Sequence, residues 1–290
     1  MKDYAELTQQ ALFDFLPDNN CREKVLKDSM KYSLKAGGKR VRPSLVFQFN
    51  ELCGGNSEAA TASACAVELI HTYSLIHDDL PCMDDDDMRR GKPSNHIVYG
   101  EDMALLAGDA LQSLAFEIMT NEKSLALAGA QACCKAVNAL SKYCGAKGMV
   151  GGQVIDLINE NQNAPIEVLQ EMHYKKTSCL IKAACELGCI ASNGNDEQIK
   201  AASVYGECIG IAFQIQDDIL DVTSTNEELG KPVGSDNSNS KSTYVSLLGI
   251  DKCRQLVDEL TQKAVDSLSA FDADTTELAD FAYSLATRKS

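Results

Sequence analysis

Long stretches without proline and with helical periodicity constrain the fold of this chain most. Only six prolines occur in 290 residues, and proline is the residue that most strongly interrupts a helix. Apolar residues recur every three or four positions in 167–191, and 196–220 follows the same spacing. Runs with the two-residue alternation of a strand are scarce. The sequence predicts an all-α fold, a large helical bundle that forms a single domain over residues 1–290.

Polar and glycine-rich stretches predict where the helices are interrupted. They lie near "ELCGGNSEA", at 83–96, near "NENQNAPIE", near "ASNGND" and at "TNEELGKPVGSDNSNSKST". The last is the longest and has two interpretations. It is either a disordered surface loop or a mobile lid that carries Lys231 and Lys241.

Charge and composition exclude several classes of protein. The formal net charge is −15, whereas binding to nucleic acid or to an anionic membrane requires a basic surface. No run reaches the ~18 consecutive apolar residues that span a bilayer, and "MKDYAELTQQALFDF" lacks the basic start of a signal peptide. These features predict a cytoplasmic protein without nucleic-acid or membrane partners. The twelve cysteines include no CxxC pair, so we expect reduced core residues rather than disulfides or a zinc site.

The first aspartate cluster places six aspartates within residues 78–87. If 71–79 is helical, His71, Ser74 and Asp78 share one face. Pro81 disfavours further helix, so Asp78 and Asp79 would lie near a helix C-terminus, where the dipole disfavours anions. A divalent cation would remove this conflict. Taken alone, the "DDDD" run is more typical of a solvated turn.

A second cluster lies far along the chain in "IGIAFQIQDDILDV". Helical spacing aligns one polar stripe on an otherwise apolar segment, formed by Gln214, Asp217, Asp218 and Asp221. Oxygen ligands without Cys or His favour Mg²⁺ over softer metals. Because Mg²⁺ commonly joins one or two carboxylates to substrate phosphates, the two clusters together suggest a diphosphate held through several Mg²⁺.

Basic residues alternate with the acidic clusters. "KAGGKRVRP" contributes Lys39, Arg40 and Arg42, Arg89 and Arg90 follow the first cluster, and Lys176 lies in an apolar helical pattern. Each alone is more often an ordinary surface cation. Their arrangement suggests two anion sites, one reached through metal and one bound by Lys and Arg directly.

Seven motifs in order carry a family resemblance: "GGKRVRP", "HTYSLIHDDLPCMDDDDMRRGKPSNH", "LAGDALQ", "GMVGGQVIDL", "KKTSCLI", "FQIQDDILDV" and "GKPVGSDNSNSKSTY". From about residue 37 onward the chain resembles trans-isoprenyl diphosphate synthases (polyprenyl synthetases), most of all the bacterial-type farnesyl diphosphate synthases. The resemblance implies an all-α fold around a deep central cavity, and a homodimer. It also implies a reaction: an allylic diphosphate ionises, the double bond of isopentenyl diphosphate attacks the cation, and a proton is lost.

The resemblance also implies site residues. Three Mg²⁺ on the allylic diphosphate would be held by Asp78, Asp84, Asp217 and Asp221, supported by Asp79 and Asp218. The same diphosphate would contact Arg89 and, from the lid, Lys231. The bridging oxygen and the developing cation would lie beside Lys176, Thr177 and Gln214. Isopentenyl diphosphate would be held by Lys39, Arg42, His71 and Arg90. Positions of second rank are Gln153, Asp156 and Lys241.

Product length is predicted from the residues before the first cluster. In the family that the chain resembles, bulk at this point limits chain growth. Tyr73 lies five residues before Asp78, with Ser74 next, and four residues separate Asp79 from Asp84. This pattern predicts farnesyl diphosphate, with geranylgeranyl or geranyl diphosphate as the alternative. Tyr73 is also compatible with a purely structural place in the core.

Three other classes of protein compete with this interpretation. A terpene cyclase would not need a second diphosphate site such as Lys39, Arg42 and His71. A non-catalytic partner subunit of a heteromeric synthase would be expected to lose one aspartate motif, and both are present. A cation-buffering helical protein gives no reason for the basic sets.

Overall fold

The computed structural model describes residues 4–16, 22–160, 162–223 and 242–288. The α-helices in these ranges are α1 (Tyr4–Asp14), α2 (Lys24–Leu34), α3 (Val41–Leu52), α4 (Ser57–Asp78), α5 (Asn95–Tyr99), α6 (Glu101–Thr120), α7 (Glu122–Ala128), α8 (Ala130–Cys144), α9 (Met149–Ile158), α10 (Ile166–His173), α11 (Cys179–Ala191), α12 (Asp196–Thr223), α13 (Tyr244–Leu248), α14 (Ile250–Ser267) and α15 (Thr276–Thr287). A π-helical turn (Tyr174–Ser178) joins α10 to α11, and a 3₁₀ turn (Leu268–Ala270) follows α14. The prediction of an all-α fold is confirmed.

Two very short strands are the β-structure of the described ranges. β1 (Met88–Arg89) pairs antiparallel with β2 (Lys92–Pro93). The two residues between them, Arg90 and Gly91, have φ of 53° and 73°, values typical of a tight hairpin turn. The sequence pattern did not predict this hairpin, because two-residue strands are too short to alternate. The predicted helix breaks outside 224–241 all lie between helices.

The chain divides into two compact units. The N-terminal unit comprises Met1–Asn138 with Ile190–Asn193, and the C-terminal unit comprises Ala139–Cys189 with Gly194–Ser290. The assignment of residues 1–290 to a single domain stays a prediction.

Helix α4 organises the N-terminal unit, where it packs against α3 and α6. Its N-cap is Asn56, whose side chain accepts a hydrogen bond from the Glu58 N–H at 3.0 Å. The helix ends at Asp78, with Asp79 as its C-cap, in accord with the expected effect of Pro81. The first two aspartates therefore stand at a helix C-terminus, as predicted.

Helix α12 organises the C-terminal unit and packs against α14 and the π-helical turn. An apolar cluster lies between α10, α12, α13 and α14 and is formed by Leu169, Ile215, Ile219, Tyr244, Cys253 and Val257. The π turn also packs against α9. A side chain at Gly152 would meet the Lys176 backbone nitrogen at 2.2 Å, so this close approach requires glycine.

The cysteines of the described ranges are all free, and eight of the eleven are buried. Burial raises the pKa of the Cys185 thiol well above its ordinary value, which keeps it protonated and unreactive. The eight buried cysteines are core residues, as predicted, whereas Cys82 and Cys134 are exposed and Cys21 lies outside the described residues. Within the described part of the chain, no helix is both long and apolar enough to span a bilayer.

Candidate active site

The first aspartate cluster forms a turn that folds back on the end of α4. The Asp84 N–H donates to the Asp78 carbonyl at 2.9 Å, and the Asp85 N–H donates to the Leu80 carbonyl at 3.2 Å. Asp85 has a left-handed φ of 54°, which Asp tolerates better than most residues. Asp78 is half-buried, while 84–87 are exposed. The turn thus brings Asp84 back beside the backbone of Asp78.

Asp79 differs from its neighbour because it is only 2% exposed. Its Oδ1 accepts hydrogen bonds from Arg89, from Nε at 2.8 Å and also from Nη2. Arg89 contacts Asp86 at 3.3 Å as well. Burial raises the pKa of Asp79, and the hydrogen bonds from Arg89 oppose that rise. Asp79 is therefore held inside the N-terminal unit by an arginine that the sequence assigned to substrate.

Among the basic residues, Arg40 has an internal partner and is 4% exposed. It pairs with buried Glu68 and donates to the Leu34 carbonyl at 2.6 Å and to Gln9 Oε1 at 2.7 Å. These contacts satisfy its charge and its donors. Arg40 therefore has a structural role, although the sequence placed it in the same basic set as Lys39 and Arg42.

Arg42, His71 and Arg90 form a basic group in the N-terminal unit. Burial lowers the pKa of Arg42; Glu68 opposes this, and Arg90 lowers it further. The pKa of His71 is held well below its usual value by burial and then by Arg42 and Arg90. Arg42 Nε is buried without a hydrogen-bond partner among the described residues. Arg90 donates to the Gly37 carbonyl, and Lys39 is exposed nearby in sequence. The positive charge of this group favours the binding of an anion.

The second aspartate cluster lies near the end of α12, where one pair again divides in exposure. The Asp217 side chain is 44% exposed and accepts a hydrogen bond from Arg288. Asp218 is 7% exposed, and its Oδ2 accepts the Tyr244 N–H at 2.7 Å. Asp221, a predicted metal ligand, is 4% exposed. Asp217 is therefore the most exposed of the three aspartates in this cluster.

The π-helical turn carries Lys176 and Thr177. Lys176 Nζ donates to Asp156 Oδ2 at 2.6 Å, and Thr177 Oγ1 donates to Gln214 Oε1 at 2.6 Å. Isolated π turns are frequent at functional sites. This turn joins residues from three of the predicted motifs in the C-terminal unit, including Asp156, which the sequence ranked second.

A cavity of about 200 Å³ opens beside the turn. Its polar lining includes Asp156, His173, Lys176, Thr177, Gln214 and Asp218. Its apolar wall comes from α10 and the preceding loop and includes Ala164, Val168, Leu169 and Met172. Mixed linings of this kind suit an amphiphilic ligand.

Sequence reasoning missed His173 and Arg288. The His173 ring lies edge-on to Tyr244 at 5.3 Å, and its pKa is lowered to about 4 by burial, which Asp156 opposes, and by Lys176. Arg288 donates to the Phe213 carbonyl at 3.0 Å and lies over the Phe213 ring at 3.9 Å. His173 could have been found from its place one turn before Lys176. A single arginine near residue 290 carries no such signal.

The remaining predicted positions are Tyr73, Ser74, Gln153, Lys231 and Lys241. Tyr73 is 5% exposed and its ring lies edge-on to His77 at 5.6 Å. Ser74 Oγ donates to the His71 carbonyl at 2.9 Å. Gln153 is half-buried, and its Nε2 has no hydrogen-bond partner among the described residues. Lys231 and Lys241 lie outside the described residues.

The donors suit Mg²⁺ in type. Within the described ranges, no three or more His, Cys, Asp or Glu side chains cluster closely enough to hold a metal by themselves. Mg²⁺ does not require such a cluster, since it keeps waters and uses one or two carboxylates with substrate phosphates. Asp78 and Asp84 of the N-terminal unit and Asp217 of the C-terminal unit are partly or fully exposed, and each offers carboxylate oxygens, the ligand type that Mg²⁺ prefers.

Comparisons with known proteins agree with these motifs. The model of the family "Polyprenyl synthetase" matches residues 23–278. The large subunit 1 of a chloroplastic heterodimeric geranylgeranyl pyrophosphate synthase from Arabidopsis thaliana is 46% identical over 274 residues, covering 93% of this chain and 73% of that protein. A chloroplastic geranylgeranyl pyrophosphate synthase from Catharanthus roseus is 49% identical over 251 residues, covering 86% and 70%. The crystal structure of an FPP/GFPP synthase from Zymomonas mobilis is similar with a TM-score of 0.84 at 36% identity, covering 98% of this chain and 95% of that one.

Proposed function

The chain belongs to the polyprenyl synthetase family, and we propose that it is a Mg²⁺-dependent prenyltransferase that adds isopentenyl diphosphate to an allylic diphosphate. The basic group of Arg42, His71 and Arg90 carries this proposal. Nearby Glu68 already pairs with Arg40, so among the described residues no carboxylate forms a salt bridge with this group, and the group is suited to a diphosphate. Neither a terpene cyclase nor a cation buffer needs such a site.

In this proposal the allylic diphosphate is held through three Mg²⁺. The carboxylates that would hold them are Asp78, Asp84, Asp217 and Asp221. When bound, the metal would neutralise the charge that accumulates on the departing diphosphate. The exposure of Asp78, Asp84 and Asp217 supports this assignment, while buried Asp221 is the weakest member of the set.

The remaining residues bind, orient and exclude water. Lys176, Thr177 and Gln214 surround the bridging oxygen and the developing cation, and their joint place on one cavity supports this role. Arg89 contacts the same diphosphate, although its hydrogen bonds to Asp79 make it in part an anchor. Lys39, Arg42, His71 and Arg90 hold isopentenyl diphosphate. Lys231 and Lys241 add charge from the segment outside the described residues.

The chemistry requires a dry site. A carbocation near water would be captured as an alcohol, so apolar walls must exclude solvent while the double bond attacks. Burial lowers the pKa of both His71 and His173 below the ordinary histidine value. In this proposal the proton lost at the end passes to the released diphosphate.

Two products are candidates. Geranylgeranyl diphosphate is the first, because both plant relatives are named for it; they favour the alternative over the predicted farnesyl product. Farnesyl diphosphate is the second, because Tyr73 is a large buried side chain five residues before Asp78. Geranyl diphosphate has no observation in its favour.

A homodimer is also part of the proposal. Four large apolar side chains on α5 and α6 are about half exposed, namely Ile97, Val98, Leu105 and Leu106. Exposed apolar groups of this size often mark an interaction surface. A heteromeric partner subunit is the competing assembly, since one relative is named as a subunit of a heterodimer. A cytoplasmic location stays a prediction, since both plant relatives are named chloroplastic.

One incubation tests the activity. The purified chain is mixed with isopentenyl and dimethylallyl diphosphates and Mg²⁺, and the products are dephosphorylated and sized by chromatography. We expect twenty-carbon alcohols for the first candidate and fifteen-carbon alcohols for the second. No elongation would overturn the proposal and favour a non-catalytic subunit. A cyclic hydrocarbon would point to a cyclase instead.

A further inference from the structure

The two aspartates of the second pair, Asp217 and Asp218, have different surroundings and therefore different roles. Adjacent helical residues point about 100° apart, and here Asp217 is half exposed whereas Asp218 is 7% exposed. Asp218 Oδ2 accepts the Tyr244 N–H at 2.7 Å. A buried backbone N–H needs a hydrogen-bond acceptor. The Asp218 carboxylate therefore has a structural role at this position.

Tyr244 is a fixed point of the C-terminal unit. It is 1% exposed and belongs to the apolar cluster with Ile215 and Ile219 of α12. Thr243 and Ser246 form a capping box that starts α13 at this residue. Besides packing, the hydrogen bond from its N–H to Asp218 ties the start of α13 to α12.

The Tyr244 ring continues this connection to the π turn. It lies edge-on to His173 with ring centroids 5.3 Å apart and an interplanar angle of 61°. His173 ends α10 and directly precedes the turn that carries Lys176 and Thr177. His173, Lys176 and Asp218 all line the same cavity.

We infer that Asp218, Tyr244 and His173 form a positioning relay that sets the Lys176–Thr177 turn, and that Asp218 does not act as a supporting metal ligand. The relay runs from the Asp218 carboxylate through the Tyr244 N–H and ring to the His173 ring. It fixes the end of α10, and with it the turn that presents Lys176 and Thr177. Its effect on turnover rests on the proposed function, whereas its effect on structure does not.

Hydrogen exchange at the Tyr244 amide tests the first contact. In Asp218→Asn the amide oxygen still accepts the hydrogen bond, so protection should remain near that of the wild type. In Asp218→Ala protection should fall about 10-fold to 100-fold, the range expected for loss of a hydrogen bond to a charged group. Asp217→Ala is the matched control and should leave this amide protected. Equal protection in wild type and Asp218→Ala would overturn the relay, whatever the chain catalyses.

Kinetics test the functional half. Asp218→Ala should lower kcat about tenfold or more while the Mg²⁺ concentration for half-maximal rate stays unchanged, and Asp218→Asn should recover most of the loss. A metal ligand behaves differently, since Asn would then fail as Ala does and the Mg²⁺ requirement would rise. That outcome at Asp218 would overturn the inference. Inactivity of the wild type would instead reject the proposed function, leaving the exchange result to decide the relay.

The last contact has its own pair of variants. His173→Phe keeps an aromatic ring against Tyr244 and should recover most of the kcat that His173→Ala loses. Equal loss in both variants would show that His173 acts through its nitrogen atoms rather than through packing, and would remove it from the relay.

Discussion

The two aspartate pairs, Asp78–Asp79 and Asp217–Asp218, have the same pattern but different surroundings. In each, the first carboxylate is more exposed and the second is buried. The buried aspartate accepts hydrogen bonds from the Arg89 guanidinium in the first pair and from the Tyr244 N–H in the second. An arginine neutralises a buried carboxylate, whereas a backbone N–H only hydrogen-bonds it. The same dipeptide thus anchors a charged hairpin in one unit and the start of a helix in the other.

The largest effect on turnover is expected from substitution of the more exposed aspartate of each pair. Asp78→Ala and Asp217→Ala should each lower turnover by orders of magnitude, because each removes a proposed ligand of the metal that stabilises the leaving diphosphate. Circular dichroism should show unchanged helix content. Asp87→Ala, in the exposed run of the first turn, is the matched control. Near-normal turnover in either variant would contradict the metal sites.

The first pair alone has an aromatic residue five positions upstream, since Tyr73 corresponds to Ala212 in the second. Tyr73→Ala should lengthen the product by at least one five-carbon unit, because it removes bulk near the first motif. Chromatography of the dephosphorylated products measures this. Ile76→Ala, also buried in α4, should destabilise the fold without changing product length. An unchanged product in Tyr73→Ala would remove the argument for farnesyl diphosphate.

Lowering the pH should destabilise the fold through His173, which packs against Tyr244 beside the second aspartate pair. His173 has a native pKa of about 4, below the ordinary value of a histidine, so the unfolded chain binds a proton first as pH falls. Its contribution to stability is complete above about pH 6.5 and is lost towards pH 4, by up to about 3 kcal/mol. Urea unfolding at several pH values should show that the free energy of unfolding falls less towards low pH in His173→Phe than in the wild type. Parallel curves for both proteins would contradict the lowered pKa.

The smallest effect is expected at Arg288, which contacts the exposed member of the second pair. The ion pair competes with metal for Asp217, so Arg288→Ala should lower the Mg²⁺ concentration for half-maximal rate. Partly exposed ion pairs contribute about 0.2–1 kcal/mol, which corresponds to a change of about fivefold or less. Arg254→Ala, a cation on α14, serves as the control. A raised Mg²⁺ requirement would contradict competition and indicate that Arg288 assists binding.

Much of the fold followed from local sequence. The apolar spacing of α10–α12, the end of α4 before Pro81 and the alignment of Asp217 with Gln214 depend on neighbours within a few positions. Such information is present in any short window of the chain. The identity of the motif residues was equally local, because the resemblance rests on contiguous segments.

The partners of these residues were not local. Asp218 meets Tyr244 26 residues away, and Arg288 reaches Asp217 across 71 residues. Arg40 and Arg42 are two residues apart and look alike in sequence, yet only Arg40 has Glu68 as its salt-bridge partner among the described residues. The sequence by itself determined the helices and the chemical types at the site, because both are written in short-range patterns. Only the tertiary structure decided which carboxylates and cations are anchored, because burial and pairing depend on segments that folding brings together.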